Sequence, residues 1–311
     1  MKILYCADLH GKGKSPVSRL DNYYQSWLEK IKEITSIAKS NECELIICGG
    51  DVFDSPHVSN TIVDDFVDIV EESLINWLVV PGNHDEIGHS WKNSKATALA
   101  HIFRRTKFIE QLTDLDLSDT LENVYIKGYE YNHDIETDLK EKGLLIQREH
   151  KTFTIAVPHA FISIKPFFKE VNHICAKDLD TNFDLVLCSH FHMTFDETIN
   201  DTRFINPNSI GRKSITEQHT PQVLIIDIKT REIEKINLKS AKPAHEIFDL
   251  TKYEETKEDE KGIDEFIASL NNYEWQGMDV RNQIKTIGEE QEVDKNIIDY
   301  IFNKIEEIEN E

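Results

Sequence analysis

The sequence predicts an α/β fold in which a largely parallel sheet is covered by helices and a second sheet packs against it. Three observations predict it. The first 110 residues alternate between short apolar runs and stretches of helical periodicity, the middle is dense in short apolar runs, and polar residues with chemical potential stand directly after those runs.

Residues 2–7 form the first apolar run, ending at Asp8. Leu20, Tyr24, Trp27, Leu28, Ile31, Ile34 and Ala38 then recur at helical spacing. Residues 45–48 form a second run, ending at Gly49, Gly50 and Asp51. Ile62, Phe66, Ile69, Val70 and Leu74 repeat the helical stripe, with Asp64, Asp65, Asp68, Glu71 and Glu72 outside it. Residues 77–80 make a third run, ending at Pro81, Gly82, Asn83 and His84. Strand, helix, strand, helix, strand implies right-handed crossovers and a parallel sheet. The polar residues then gather at the C-terminal edge of that sheet, where open α/β folds place their sites. Further strands are expected at 124–128, 153–157, 185–188, 203–205, 223–228 and 232–236. They complete a domain over residues 1–240. The charged stretch 241–261, containing KYEETKEDEK, reads as a linker. Residues 262–311 read as a small helical accessory region, a cap or a partner-docking element. Val293, Ile297, Ile301, Ile305 and Ile308 make an apolar stripe near its end.

Composition removes several function classes. Asp and Glu number 57 against 35 Lys and Arg, a formal net charge of −22, so indiscriminate attraction to nucleic acid is weak and only a local basic rim stays open. With 39% hydrophobic and 30% charged residues, a disordered or fibrous chain is excluded. No run of about 18 apolar residues is present to span a membrane. The start, MKILYCADLH, lacks the long apolar stretch of a secretory signal. A cytoplasmic protein is expected, and the Lys-, Ile- and Asn-rich wording suits a bacterial or phage source. Cys6, Cys43, Cys48, Cys175 and Cys188 are odd in number and unpaired in spacing, so they read as small buried residues, not a disulfide framework.

The chemistry lies in the residues that follow the runs: Asp8 and His10, Asp51 and Asp54, Asn83, His84 and Asp85, His159, His190 and His192. Carboxylates, imidazoles and one amide oxygen suit Mn²⁺, Fe²⁺ or Zn²⁺ and suit Ca²⁺ poorly. The set is too large for one ion. It suits two ions sharing a bridging carboxylate, the clamp used for phosphoryl transfer.

In chain order the motifs read D-x-H, GGD-x-x-D, GNHD, a strand-end His and H-x-H. That ordered set resembles the calcineurin-like metallophosphoesterase superfamily over residues 1–240. The resemblance implies a four-layer α+β form of the α/β class, a two-sheet sandwich flanked by helices with a dimetal site at its edge. It implies that Asp8, His10, Asp51 and His192 hold one metal, and that Asp51, Asn83, His159 and His190 hold the other. Mn²⁺ is the first choice of ion, with Fe²⁺ or Zn²⁺ as alternatives, and His150 and His173 compete with His159 for its place. His84 is implied to face the leaving-group oxygen without binding metal, oriented by the carboxylate of Asp54. Such a metal pair supplies hydroxide near neutral pH for in-line attack while His84 assists the departing alcohol.

The wording ADLH, GGDVFDSP and VVPGNHDE is similar to the SbcD-type DNA-repair nucleases, whose counterpart elsewhere is the meiotic-recombination-eleven nuclease. Ser55 and Asp85 stand where protein Ser/Thr phosphatases carry Arg and Glu. The resemblance implies a DNA exonuclease or endonuclease of repair or recombination, an SMC-like ABC ATPase partner of the SbcC type, and a homodimer. GKGKSP after His10 and the single His of VPHAF depart from the family pattern. Lys12, Lys14, Arg19, Arg104 and Arg105 are the candidate DNA contacts, with Lys107, Lys165, Lys169, Arg212 and Lys213 also near the expected mouth. Ordinary surface charge explains them equally. The alternative substrate is a small nucleotide or a phosphoprotein.

Overall fold

Alternation along each strand decides what its two faces cover. A computed structural model describes residues 1–88, 90–147, 152–166 and 172–249. The first half runs β1 (Lys2–Cys6), α1 (Tyr23–Ser40), β2 (Leu45–Cys48), α2 (Asn60–Ser73), β3 (Asn76–Val79), α3 (Ala98–Arg105) and β4 (Ile109–Gln111). Then come β5 (Asp114–Asp116), β6 (Val124–Tyr129), α4 (Ile135–Lys142), β7 (Phe153–Pro158), β8 (Ile162–Ser163) and β9 (Ile174–Cys175). The unit closes with β10 (Leu185–Leu187), β11 (Phe195–Ile199), β12 (Thr202–Asn206), β13 (Gln222–Asp227), β14 (Ile233–Asn237) and α5 (Ala244–Ile247).

Two six-stranded mixed sheets result, in the orders β14-β13-β1-β2-β3-β4 and β11-β12-β10-β7-β6-β5. The central pairs β1–β2, β2–β3, β6–β7, β7–β10 and β10–β12 are all parallel. In β1, Ile3 and Tyr5 enter the core between the sheets with Ile47, Ile126, Ile155, Val157, Leu187 and Ile226. Leu4 and Cys6 face the other way, into a core with Trp27, Ile31, Phe66 and Val70 of α1 and α2. Ala156, Val186 and Phe204 do the same for the second sheet, against Ile135 and Leu139 of α4. Helix, sheet, sheet and helix make four layers, as the sequence predicts. Strands buried on both faces read as continuous apolar runs, which is why they were legible.

Two stripe residues depart from expectation. Leu20 precedes α1 and Leu74 follows α2 as a left-handed cap, and both are exposed. The elements α3, α4, β4, β5, β8, β9 and β11 add to the predicted set. All five cysteines are free and buried. The described elements lie in a compact unit, Met1–Phe248. The charged stretch read as a linker begins inside it: Ile247 and Phe248 are buried, and Leu20 donates its N–H to the Ile247 carbonyl at 2.9 Å. The C-terminal apolar stripe, His150 and Lys169 lie outside the described residues. Among the described residues, no helix is long and apolar enough to cross a membrane.

Candidate metal centre

The loops after β1 and β2 stay zipped beyond the sheet edge. Asp8 donates its N–H to Gly50 O at 3.1 Å, His10 to Asp51 O at 2.8 Å and Gly11 to Val52 O at 2.9 Å, and Asp54 returns one to Gly11 O at 3.0 Å. The second sheet joins at the same edge. The His190 N–H meets both Asp8 carboxylate oxygens at 3.2 Å, and His159 Nδ1 donates to Gly49 O at 2.7 Å. Asp8, His10, Asp51 and His190 have φ of 53°, 50°, 52° and 64°, the left-handed region that Asp and His tolerate better than most side chains. Gly82 is required by space: a Cβ there would lie 2.2 Å from Asp51 Oδ1.

Three overlapping donor groups form, and two of them make up the expected pair of sets. Asp8, His10 and His192 converge in one, and Asp51, His159 and His190 in the other. Asn83 Oδ1 joins the second, 3.1 Å from His159 Nε2 and 2.9 Å from His190 Nδ1. Asp51 Oδ2 lies between the sets, 3.7 Å from His10 Nε2 and 3.6 Å from His159 Nε2. In the first set, His192 Nε2 is 3.2 Å from His10 Nε2 and 3.6 Å from Asp8 Oδ1.

These spacings fit cations. Ligands about 2.1 Å from a common ion stand roughly 3.0–3.4 Å apart in octahedral or tetrahedral geometry. The tautomers agree. A carbonyl only accepts, so His159 Nδ1 carries the hydrogen and Nε2 offers its lone pair toward Asp51 and Asn83. His192 donates its Nδ1 hydrogen to Glu217 Oε1 at 2.6 Å, leaving Nε2 bare beside His10 and Asp8. The residues fit a pair of divalent ions with Asp51 as the shared ligand.

The electrostatics carry the same signature. Burial alone would lower the His159 and His192 imidazoles. Asp51 instead pushes His159 up to about 9, and Asp8 with Glu217 pushes His192 up to about 10. His190 is driven down to about 4 by burial and by His159. Burial would raise Asp51, yet His159, His10 and His84 hold it well below the usual carboxylate range. Protons on these imidazoles and cations compete for the same lone pairs.

His84 sits at the rim of the first set. Its N–H donates to Asp51 Oδ1 at 2.9 Å and its Nδ1 to the Asp54 carbonyl at 2.8 Å. The family resemblance implies the Asp54 carboxylate for that orientation; the main-chain oxygen makes it instead. The carboxylate is taken by Lys12 Nζ at 2.5 Å and Lys213 Nζ at 2.8 Å. His84 also falls within ligand range of His10 and Asp51. Its Nε2, however, accepts from the Lys213 ammonium at 3.5 Å. A metal on that nitrogen would meet a like charge, so the ring suits proton handling. Asp85 accepts the N–H groups of Val52, Phe53 and Gly82 at 3.1–3.2 Å and so ties the second motif to the third.

The candidate DNA contacts separate. Lys12 is at the site, and Lys14, two residues further along the same loop, is exposed. Arg19 requires correction: it is buried, paired with Asp21 at 2.7 Å and bonded to the Arg212 carbonyl at 2.8 Å, so it braces the loop and cannot meet a strand. Arg104 and Arg105 lie on α3, where Arg105 pairs with Asp64 of α2 in a cleft that none of the metal-ligand candidates lines. His173 packs its ring against Phe161, and His159 holds the donor position. One buried residue escaped the reading. Glu217 accepts from His192 Nδ1, Ser209 Oγ and the Lys213 N–H at 2.6 Å each, and from the Ser214 N–H at 2.7 Å. Only its place downstream of H-x-H hinted at it.

Solved structures with related chain traces include a novel archaeal phosphodiesterase, at 16% identity and TM-score 0.42, covering 76% of this chain and 100% of that one. A second is the protein TT1561 of Thermus thermophilus, at 13% identity and TM-score 0.46, with 76% and 98% covered. A third is a dimetal phosphatase of Danio rerio, at 8% identity and TM-score 0.46, with 76% and 98% covered. No curated protein sequence matches. The model of the calcineurin-like phosphoesterase family matches residues 1–194, the stretch that carries every metal-ligand candidate of the two donor sets. The chain therefore belongs to the calcineurin-like phosphoesterases, metal-dependent hydrolases of phosphoester bonds.

Proposed function

We propose that this chain is a two-metal phosphodiesterase that cuts DNA, a nuclease of the SbcD type, with Mn²⁺ as its working ion. One observation carries the dimetal part: a single oxygen, Asp51 Oδ2, stands 3.6–3.7 Å from an imidazole nitrogen of each donor set. Two divalent ions held there would supply Lewis-acid activation of water near neutral pH and charge neutralisation at the phosphoryl group. The chain's own residues do the rest. Asp8, His10 and His192 hold one side, and Asn83, His159 and His190 the other. His84, fixed through Nδ1 on the Asp54 carbonyl, presents Nε2 to the departing oxygen and manages its proton. The DNA reading is supported by the motif wording and by the lysines at the mouth. An SMC-like ATPase partner and self-association belong to the same proposal by resemblance.

The test is degradation of linear DNA by chelator-stripped protein with Mn²⁺ restored, run beside an aryl phosphodiester, a nucleotide and a phosphopeptide. DNA cleavage that disappears in Asp51→Asn supports the proposal. Hydrolysis of the nucleotide or phosphopeptide with intact DNA would replace it by the small-substrate reading.

A further inference from the structure

Lys213 lies outside both donor sets, and the hydrolysis described above leaves it without a task. Its Nζ is 2.8 Å from Asp54 Oδ1 and 3.5 Å from His84 Nε2. Lys12 meets the other oxygen, Asp54 Oδ2, at 2.5 Å. One carboxylate therefore holds two ammonium groups beside the imidazole, with one positive charge in excess. Both lysine side chains remain open to solvent, at 28% for Lys12 and 22% for Lys213. Each ammonium has three donors: Lys12 gives one to Asp54, while Lys213 pairs with Asp54 by charge and gives one to His84 Nε2, so both keep donors for an anion entering the mouth.

The backbone that delivers Lys213 is fixed from both sides. Lys30, fully buried on α1, donates to the carbonyls of Ile210 at 2.7 Å and Gly211 at 3.3 Å. Arg19 takes the Arg212 carbonyl at 2.8 Å and Ser18 Oγ the Lys213 carbonyl at 3.0 Å. On the opposite side, the Gly211 N–H donates to Asp8 O at 3.0 Å and the Lys213 N–H to Glu217 Oε2 at 2.6 Å. Four successive carbonyls thus have assigned donors. A lysine that only neutralised Asp54 would need neither this bracing nor a second lysine on the same carboxylate.

We propose that Lys12 and Lys213 form an anion subsite on the His84 side of the metal centre, which takes the phosphate next to the scissile one. One imidazole separates the subsite from the metal ligands: the His84 ring is 4.9 Å from His10. The substrate class is then a phosphodiester whose leaving portion carries a further phosphate, such as a nucleic-acid strand, in preference to a diester of a neutral alcohol. This rests on the phosphodiesterase reading above and deepens it.

The experiment uses the full, metal-restored chain. Thymidine dinucleotides with and without a terminal phosphate, on either end, are compared by KM and kcat. Binding of thymidine 3′,5′-bisphosphate against the two monophosphates is followed by calorimetry. The wild type should favour the extra phosphate, and Lys213→Gln or Lys12→Gln should reduce that preference roughly tenfold, the lower range for a hydrogen bond to a charged group. Lys213→Arg should retain it. An unchanged preference in both Gln variants overturns the subsite. So does an equal fall in kcat with and without the extra phosphate, which would make Lys213 a stabiliser of the leaving oxygen only. If the wild type cleaves no dinucleotide, the nuclease reading fails, while bisphosphate binding still decides the subsite.

Discussion

Removing the Glu217 carboxylate should weaken the metal centre from a distance. The side chain is 8% exposed and accepts four hydrogen bonds, one from His192 and three from its own loop. Burial would raise its pKa, but the His192 ring, Ser209 and the Ser214 N–H hold it far below the usual carboxylate range, so it is ionised throughout the neutral range. In Glu217→Ala, the Ser209 hydroxyl and the Lys213 N–H lose their acceptor, while the exposed Ser214 can turn to water. At about 1–3 kcal/mol for each stranded group, the loss of stability is about 3 kcal/mol. His192 also loses the anion that fixes its ring and its tautomer. Outer carboxylates of this kind are worth about 10–100-fold in metal affinity. Titrating the metal-free variant with Mn²⁺ by calorimetry, beside thermal melts, measures both effects. Glu217→Gln keeps one acceptor oxygen and should separate them, with a smaller loss of stability and a clear loss of affinity. Wild-type Mn²⁺ affinity in both variants, with only the melting temperature lowered, would refute the reasoning and reduce Glu217 to a loop brace.

Further expectations concern the centre and one remote ion cluster. Asp51→Asn should lose both ions by elemental analysis, since its carboxylate lies between both sets; retention of two ions would reassign the bridge. Gly82→Ala should also lose metal, because its Cβ would stand 2.2 Å from Asp51 Oδ1, and a variant with full metal content would show that the loop can give way. His84→Ala should reduce turnover roughly 10²–10⁴-fold with metal content intact; loss of metal with activity would make His84 a ligand. Asp196 is held down at about 2 from an ordinary 3.8 by hydrogen bonds from Arg203 and Lys235. Its stabilisation is present above pH 4 and fades as pH falls through about 2. Asp196→Asn should therefore cost about 1 kcal/mol at pH 7, with the gap in melting temperature closing toward pH 2; an undiminished gap there counts against the pairing.

The central strands and the residues of the candidate metal centre are legible for one reason: each strand is largely buried on both faces, and each candidate group follows one directly. Elements without that signature were not. The edge strand β11, Phe195–Ile199, is held by backbone pairing to β12 and shows only Phe195 and Ile199 as apolar residues among Asp, Glu and Thr. Glu217 belongs to no run, and its partner His192 is 25 residues earlier. Arg19 looked like a rim charge because Lys12 and Lys14 precede it in the same loop, whereas its burial comes from Asp21 and a carbonyl 193 residues away. Contacts between loops leave no period to read.

The left-handed backbone at Asp8, His10, Asp51 and His190 has a consequence for how this edge is probed. Each such residue costs about 1 kcal/mol or more relative to a relaxed conformation. Four of them consume a sizeable share of the roughly 5–15 kcal/mol that separates a folded domain from its unfolded ensemble. This edge, with its candidate metal ligands, is therefore a place where the fold trades rigidity of the whole for exactness of a few atoms. Glycine at any of the four would relieve the backbone while deleting a ligand. Four of the twelve described non-glycine residues with left-handed backbone stand at this edge, so a screen for robustness that relaxes them with glycine would remove candidate ligands along with the strain.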